Sequence, residues 1–311
     1  MQVWNKLSQV PANFGATVVT IGKFDGIHLG HQALLSESVA QAKVRGLSSV
    51  MITFDRHPDA LFRPNELRLP LIGPAQKQEL VSKTGIDGLL TLEFNLELAG
   101  LEPEAFVERV LAMGLHSQVV VVGPDFRFGK GGRGTCETLK ELGAKFGFEV
   151  VVLPEVEVDG MRVSTSTIRN LLDSGNVEAA AKLLGRLHRT TGMVEHGLKL
   201  GRQLGFPTAN LSRESEGFLP LDGVYAGWLY CDGQRYPAAL SVGINETLQA
   251  VPRLIEAHVL GRKDLDLYDK VVDVDYVSFI RPAAKFDGME SLIQAIQTDC
   301  DEISRQLSEL Q

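Results

Sequence analysis

The chain has 311 residues, which at about 100–200 residues per domain predicts two domains. Hydrophobic residues make up 44% and charged residues 23% of the sequence, so composition excludes the disordered, collagenous and fibrous classes of protein. The formal net charge of −8 argues against a generally basic surface, and we expect no nucleic-acid partner.

The cysteines and the N-terminus indicate the compartment. Cys136, Cys231 and Cys300 are odd in number and have no C-x-x-C spacing, so the sequence predicts neither a disulfide framework nor a zinc site. The first residues lack the basic and apolar regions of a secretory signal, and no apolar run approaches the roughly 20 residues of a spanning helix. We therefore expect a cytoplasmic protein that does not bind membranes.

The first half of the chain alternates between strand-like and helix-like segments. The strand-like runs are apolar throughout and rich in β-branched residues: TVVTI, SVMITF, DGLLTLEF, QVVVVG and EVVVLP. Stretches of helical length, such as HQALLSESVAQAKVRG and PEAFVERVLAMGL, separate them. Strands without alternation are typical of a parallel sheet that is covered on both faces. We predict a doubly wound α/β domain whose ligand lies at the carboxyl ends of the strands.

The second half of the chain has strand-like runs with turn signals. The runs are TTGMVEHG, GVYAGWLY, QRYPAALSVG, LIEAHVL and KVVDVDYVSFI, and Asp232-Gly233 is a hairpin signal between two of them. This spacing predicts a small antiparallel β-barrel. Leu292, Ile296 and Ile303 lie near helical spacing and predict a closing amphipathic helix. We place the two domains at residues 1–186 and 187–311.

One motif, GKFDGIHLGH from Gly22 to His31, directly follows the first of these strands. A glycine-containing loop before a helix start near Gly30 aims backbone N–H groups and the positive end of the helix dipole at an anion. His28 and His31 are at i and i+3, and imidazoles donate hydrogen bonds to phosphate oxygens. Two surface histidines on one helix face, or a zinc pair without its other ligands, are the alternatives. Asp25 either contacts the ligand or caps backbone N–H groups.

Two motifs in this half resemble the signatures of a known superfamily. GKFDGIHLGH resembles the H-x-G-H signature of the nucleotidylyltransferases, and STSTIR, from Ser164 to Arg169, resembles their second signature. Between them, TFDRHPDALF and VGPDFRFGKGGRG are similar to the flavin-specific members, the FMN adenylyltransferase half of bacterial bifunctional riboflavin kinase/FAD synthetases. The resemblance covers about residues 3–186. It implies adenylyl transfer from ATP to FMN, which yields FAD and pyrophosphate.

The resemblance implies a role for each matching residue. His28 and His31 hold the ATP phosphates and stabilise charge in the transition state, while the STSTIR segment binds the leaving β- and γ-phosphates. The implied ATP contacts of this half are Gly22, Phe24, Asp25, His28, His31, Ser164, Thr165 and Arg169. The implied flavin contacts are His57, Asp125, Phe126 and Phe128.

The segment GKGGRG, from Gly129 to Gly134, matches the G-x-G-x-x-G pattern of dinucleotide-binding sites. The residues PDFRF separate it from the preceding strand, whereas a dinucleotide fingerprint turns directly off its strand. We therefore interpret it as a mobile loop on the flavin side. An oxidoreductase function has no other support.

The stretch GLKLGRQLGFPTAN in the second half combines glycines with Thr208 and Asn210. By itself it is either a decorated turn or a phosphate site. This stretch and four later segments follow the order of motifs in riboflavin kinases: LPLDGVYAGWL, SVGIN, LIEAHVL and IRPAAKFDGMESLIQAIQTD. The resemblance covers about residue 188 to the end. It implies phosphorylation of riboflavin to FMN by ATP.

The kinase resemblance also implies residue roles. Thr208 and Asn210 match the pair that coordinates Mg²⁺ and ATP phosphate, and oxygen ligands suit this cation. Glu256 matches the general base that accepts the proton of the riboflavin 5′-hydroxyl; the alternative is an outward glutamate on an alternating strand. Further implied contacts are Gly201, Arg202 and Gly205 for the kinase ATP, and Arg281 with the last helix for the flavin.

Two segments depart from the kinase pattern. Glu246, Leu248 and Gln249 stand where Pro, Phe and Gly are usual, and Asp269 stands where Gly is usual. Three functions follow from the sequence. The first is a bifunctional enzyme that uses riboflavin, FMN, ATP and Mg²⁺; the others are an FMN adenylyltransferase with a flavin-binding appendage, and a non-catalytic flavin or nucleotide sensor.

Overall fold

The computed structural model describes residues 1–62, 69–196, 201, 204–243, 253–262 and 264–310. The chain divides into two compact units. The first unit is Met1–Pro70 with Pro74–Val163, and the second unit is Leu71–Gly73 with Ser164–Gln311. The functional boundary between residues 186 and 187 stays a prediction.

A parallel six-stranded sheet forms the first unit, in the order β1-β4-β3-β2-β5-β6. Its strands are β1 (Gln2–Trp4), β2 (Thr17–Ile21), β3 (Ser48–Phe54), β4 (Gly88–Leu92), β5 (Ser117–Val122) and β6 (Glu149–Val152). Alternate residues of β2 belong to different cores: Val18 packs with Val119 and Ala42, whereas Val19 belongs to the cluster of Phe106. The predicted doubly wound sheet, buried on both faces, is confirmed.

Helices cover this sheet. They are α1 (Leu29–Arg45), α2 (Pro58–Phe62), α3 (Pro74–Ser82), α4 (Leu96–Ala99), α5 (Pro103–Phe106) with its π-helical continuation (Val107–Gly114), and α6 (Cys136–Phe146). A short hairpin of β7 (Glu157–Val158) and β8 (Met161–Arg162) follows.

The strand order indicates where a ligand is expected in the first unit. From β2 the chain proceeds to β3 and β4 on one side of the sheet and then crosses to β5 on the other side. In doubly wound folds a crevice opens at such a reversal, at the carboxyl ends of the strands. The loops after β2 and β5 therefore flank the expected ligand position, and the first of these loops carries the H-x-G-H motif.

The second unit contains α7 (Thr165–Asp173), α8 (Val177–Leu184) and a closed antiparallel barrel in the order β10-β13-β12-β11-β14-β9. The barrel strands are β9 (His188–Glu195), β10 (Ala209–Leu211), β11 (Gly223–Cys231), β12 (Gln234–Gly243), β13 (Leu254–Val259) and β14 (Val271–Pro282). The predicted barrel is confirmed. Asp232 and Gly233 form the turn of the predicted hairpin, with φ of 51° and 75°.

The predicted C-terminal helix is also confirmed and spans Met289–Ser308. Its Ile303 and Leu307 pack against Ala226 and Trp228 on the outer face of β11. Within the described residues, no helix has the length and apolarity needed to cross a membrane.

Candidate functional site

The loop between β2 and α1 has a constrained backbone. Gly22 N–H donates to the carbonyl of Ile52 at 3.1 Å, which ties the start of the loop to β3. Phe24 and Ile27 adopt φ of 47° and 41°, a conformation uncommon outside glycine. Both side chains are buried in the core, and this burial offsets the backbone cost. The loop is therefore held in one shape before any ligand binds.

His28 is the N-cap of α1. Its Nδ1 accepts a hydrogen bond from the backbone N–H of His31 at 3.3 Å, and its side chain is only 6% exposed. Because Nδ1 accepts, the proton of the neutral ring lies on Nε2. His28 thus replaces the Ser, Thr or Asp usual at a cap and presents Nε2 as a hydrogen-bond donor.

The rings of His28 and His31, here called the imidazole pair, stack with centroids 3.6 Å apart and an interplanar angle of 16°. Burial, the neighbouring His28 and the charge of Lys77 lower the pKa of His31 well below its ordinary value. His31 is therefore neutral near pH 7. Its Nδ1 is buried without a hydrogen-bond partner in the described part of the chain.

Among the described residues, no group of three or more His, Cys, Asp or Glu side chains is arranged to hold a metal ion. Two neutral rings at a helix N-terminus are suited to hydrogen bonding with an anion.

Two lysines adjoin the same loop. Lys23 Nζ donates to His57 Nε2 at 2.8 Å, which links a predicted flavin contact to the predicted ATP loop. The carbonyl of Lys23 accepts from Lys77 Nζ and from Thr53 Oγ1, each at 3.0 Å. Lys77 was not predicted as a site residue, because nothing in PAQKQEL distinguishes it from an ordinary surface lysine.

The loop after β5 carries three predicted flavin contacts, and their side chains lie in different surroundings. Asp125 is exposed and forms an ion pair with Arg162, whose guanidinium also contacts Glu155 at 2.7 Å. Phe126 and Phe128 stack with centroids 5.5 Å apart, and Phe128 is buried in the core of the first unit.

Phe128 also closes the GKGGRG segment. It exchanges two backbone hydrogen bonds with Gly134, at 3.2 and 2.9 Å, and Lys130 N–H donates to the carbonyl of Leu101 at 2.7 Å. The segment is thus a hydrogen-bonded hairpin loop with a short 3₁₀ turn over Lys130–Gly132. A dinucleotide site requires an α-helix that starts at its glycines, and no α-helix starts at these.

The second signature, STSTIR, starts α7 in the second unit. Ser164 is its N-cap, since Ser164 Oγ accepts from Thr167 N–H at 3.1 Å. Thr165 is the first residue of the helix, and the Arg169 guanidinium lies 4.7 Å from the centroid of the Phe218 ring. The segment therefore begins a helix, and phosphate binding at this helix stays a prediction.

Barrel closure brings two predicted kinase residues together. Asn210 on β10 is the register partner of Glu256 on β13. Both side chains point outward, since their strand neighbours Ala209, Ile255 and Ala257 are buried. On its other side, Asn210 pairs with Glu195 of β9, a residue that the sequence analysis missed because register cannot be read along one strand.

The segment before β10 forms a tight turn. The carbonyl of Gly201 accepts from Leu204 and Phe206 at 3.2 and 2.8 Å, and a Cβ at Gly201 would lie 2.4 Å from the Phe206 carbonyl oxygen. His258 Nδ1 donates to the carbonyl of Pro207 at 2.7 Å, immediately before Thr208. This anchor was also missed. Gly205, with φ of 89°, belongs to the same turn; Arg202, Glu246, Leu248 and Gln249 lie outside the described residues.

Arg281, the predicted flavin contact, forms a forked ion pair with Asp299 of the C-terminal helix. Arg281 Nε lies 2.9 and 3.0 Å from the two carboxylate oxygens, and its second terminal nitrogen lies 2.7 Å from one of them. The contact fastens the helix to β14. Asp269, which replaces the usual glycine, adopts φ of 59°, so the turn keeps a left-handed residue.

Comparisons with known proteins agree on one family. The family model of FAD synthetase matches residues 10–167, and that of riboflavin kinase matches residues 184–307. A bifunctional riboflavin kinase/FMN adenylyltransferase of Pseudomonas fluorescens is 36% identical over 300 residues, covering 96% of each chain. That of Listeria monocytogenes is 34% identical and covers 91% of this chain and 90% of its own.

A solved structure also covers nearly the whole chain. It is a crystal structure from Streptococcus pneumoniae described as a macrolide-efflux protein, with a TM-score of 0.88 and 31% identity. The match covers 97% of this chain and 98% of that chain. The match to this experimental structure therefore includes residues of both units.

Proposed function

Since the chain belongs to the family of bifunctional riboflavin kinase/FMN adenylyltransferases, we propose how its own residues divide the two reactions. The enzyme phosphorylates riboflavin to FMN and adenylylates FMN to FAD, with ATP as the donor in both steps. Both family matches are present, so the single-activity and sensor alternatives are not carried further. The observation that carries the proposed division is that the imidazole pair and the Asn210–Glu256 pair belong to different compact units.

We assign adenylyl transfer to the imidazole pair. A phosphate oxygen of FMN attacks the α-phosphorus of ATP, and pyrophosphate leaves with the electrons of the broken P–O bond. Such a reaction needs positioned donors more than it needs a base. His28 donates from Nε2 and the neutral His31 donates beside it, while Ser164, Thr165 and Arg169 bind the leaving phosphates. The N-cap bond and the ring stack support this role, because they fix the direction of both rings.

We assign the kinase step to the outer face of the barrel. Glu256 accepts the proton of the riboflavin 5′-hydroxyl while that oxygen attacks the γ-phosphorus of ATP. Thr208 and Asn210 would hold Mg²⁺, since their side-chain oxygens and those of the register partners Glu256 and Glu195 suit a hard cation. When bound, the ion neutralises phosphate charge. A cytoplasmic location is part of the proposal, supported by the three buried free cysteines.

A crossed experiment tests the division. The variants are His28→Ala/His31→Ala and Glu256→Gln, with the exposed Glu214→Gln as a matched control. FMN formation from riboflavin and FAD formation from FMN are measured separately by chromatography. We expect the histidine variant to lose at least about 10²-fold in FAD formation alone. Glu256→Gln should lose about 10²–10⁴-fold in FMN formation alone. Parallel loss of both activities in either variant contradicts the division.

A further inference from the structure

Lys77 on α3 reaches the loop that carries the H-x-G-H motif. Its Nζ donates to the carbonyl of Lys23 at 3.0 Å, and the buried Thr53 donates to the same oxygen at 3.0 Å. Two donors thus hold one carbonyl at the start of the loop, from two different elements. A carbonyl oxygen has two lone pairs, so this arrangement saturates it and fixes the orientation of the Lys23–Phe24 peptide.

That peptide determines where the Phe24 ring lies. Phe24 is fully buried at φ of 47°, and its ring centroid lies 5.0 Å from that of His31. A rotation of the peptide would move this ring against His31, which stacks on His28. The contact chain from Lys77 to the imidazole pair is therefore continuous.

Lys77 also contributes charge to the same place. Burial lowers the pKa of Lys77, and the carboxylate of Asp25 opposes this effect, which favours the ammonium form. The ammonium in turn is one of the causes that lower the pKa of His31, after burial and His28. Facing His31 are thus His28 on its own helix and Lys77 on α3, with Asp25 on the loop facing Lys77. The reactants of adenylyl transfer are polyanions, whereas both imidazoles are uncharged, so a fixed cation beside them adds electrostatic stabilisation that the rings do not supply.

We propose that Lys77 is a positioning residue for adenylyl transfer: its ammonium fixes the carbonyl of Lys23 and places a positive charge beside the imidazole pair. The inference rests on the proposed role of that pair. It assigns Lys77 no proton transfer and no bond to the substrate. It predicts that the loss of the charge and the loss of the hydrogen bond have separate effects.

Two substitutions in the full-length enzyme separate these effects. Lys77→Gln keeps an N–H donor for the Lys23 carbonyl but removes the charge, and Lys77→Met removes both. The matched control is Lys83→Met. Lys83 is exposed, lies one residue beyond α3 and pairs with Glu79 at 2.6 Å. We expect FAD formation from FMN to fall about 10-fold in Lys77→Gln and about 10²-fold in Lys77→Met, as misplaced groups cost this much. Lys83→Met should retain the wild-type rate.

Two further readouts exclude a general folding defect. FMN formation from riboflavin by the same chain should stay unchanged in all three variants. In protein labelled with ¹³C-histidine, with signals assigned through His31→Gln, the pKa of His31 should rise in both Lys77 variants.

A wild-type rate of FAD formation in Lys77→Met overturns the proposal. A wild-type rate or an unmoved His31 titration in Lys77→Gln overturns the role of the charge. If His28→Ala/His31→Ala still makes FAD normally, the assigned role of the pair fails instead.

Discussion

At the scale of single residues, His28 combines two functions in one ring. Nδ1 satisfies a backbone N–H at the start of α1, and this fixes the proton on Nε2, where the proposed phosphate contact lies. The motif gave the position of His28, but the sequence alone did not assign a different task to each nitrogen. The assignment needed the backbone conformation of the loop.

These two functions are separable by substitution. His28→Asn keeps a capping side chain, so we expect the unfolding midpoint to stay near wild type while FAD formation falls about 10²–10³-fold. His28→Ala should lose the same activity and, in addition, about 1 kcal/mol of stability. Urea unfolding and FAD assays on both variants measure this. Equal stability of the two variants would mean that the cap bond contributes nothing.

At the scale of elements, the Arg281–Asp299 ion pair joins β14 to the C-terminal helix. Flavin binding by Arg281 stays a prediction; the resemblance identified this residue but not its partner 18 positions later. The side chains are 26% and 10% exposed, so removal of one partner leaves a poorly solvated charge.

We therefore expect Asp299→Ala to destabilise the second unit by about 2 kcal/mol, below the 3–5 kcal/mol of fully buried pairs because Arg281 is partly exposed. The double variant Arg281→Met/Asp299→Leu should recover part of this loss, since it leaves no unpaired charge. Thermal unfolding of the wild type, the single variant and the double variant measures both changes. If Arg281 instead served flavin binding alone, Asp299→Ala would alter the riboflavin KM and leave the midpoint unchanged.

The strands and helices were predictable where the sequence pattern is local. Apolar runs located β2 to β6, and the Asp-Gly turn located the β11–β12 hairpin. The three-residue β1 was not predicted, because so short a segment has no detectable hydrophobic period. The Asn210–Glu256 pairing escaped as well, since register across a closed barrel depends on all six strands. Lys77 was not predicted either, because its significance lies in a contact with the carbonyl of Lys23, 54 residues away.

For the whole molecule, His188 is a histidine buried in neutral form that makes stability depend on pH. His188 is 1% exposed inside the barrel, donates Nε2–H to the carbonyl of Phe218 at 2.6 Å and stacks on Tyr276. Burial lowers the pKa of His188 to about 4. The unfolded chain, with an ordinary histidine pKa of about 6.5, binds this proton first as the pH falls.

Protonation of His188 therefore favours the unfolded chain. The stability of the second unit is complete above about pH 6.5 and declines as the pH falls toward 4. From His188 alone we expect a loss of about 2 kcal/mol between pH 6.5 and 5. Urea unfolding of a Trp4→Phe background, in which Trp228 alone reports fluorescence, measures this unit. His188→Gln keeps a donor but does not titrate, so its profile should be flatter. Identical slopes for the two proteins would assign the acid sensitivity to other groups.

The cap at His28 has a consequence for how this sequence can change. Asparagine, serine or aspartate at position 28 would keep the helix start but is too short to place a donor where Nε2 lies, whereas lysine or arginine would donate but could not accept from the amide of residue 31. Histidine satisfies both demands with its two ring nitrogens. Each of these substitutions keeps only one of the two tasks, so we expect no exchange at this position that retains both.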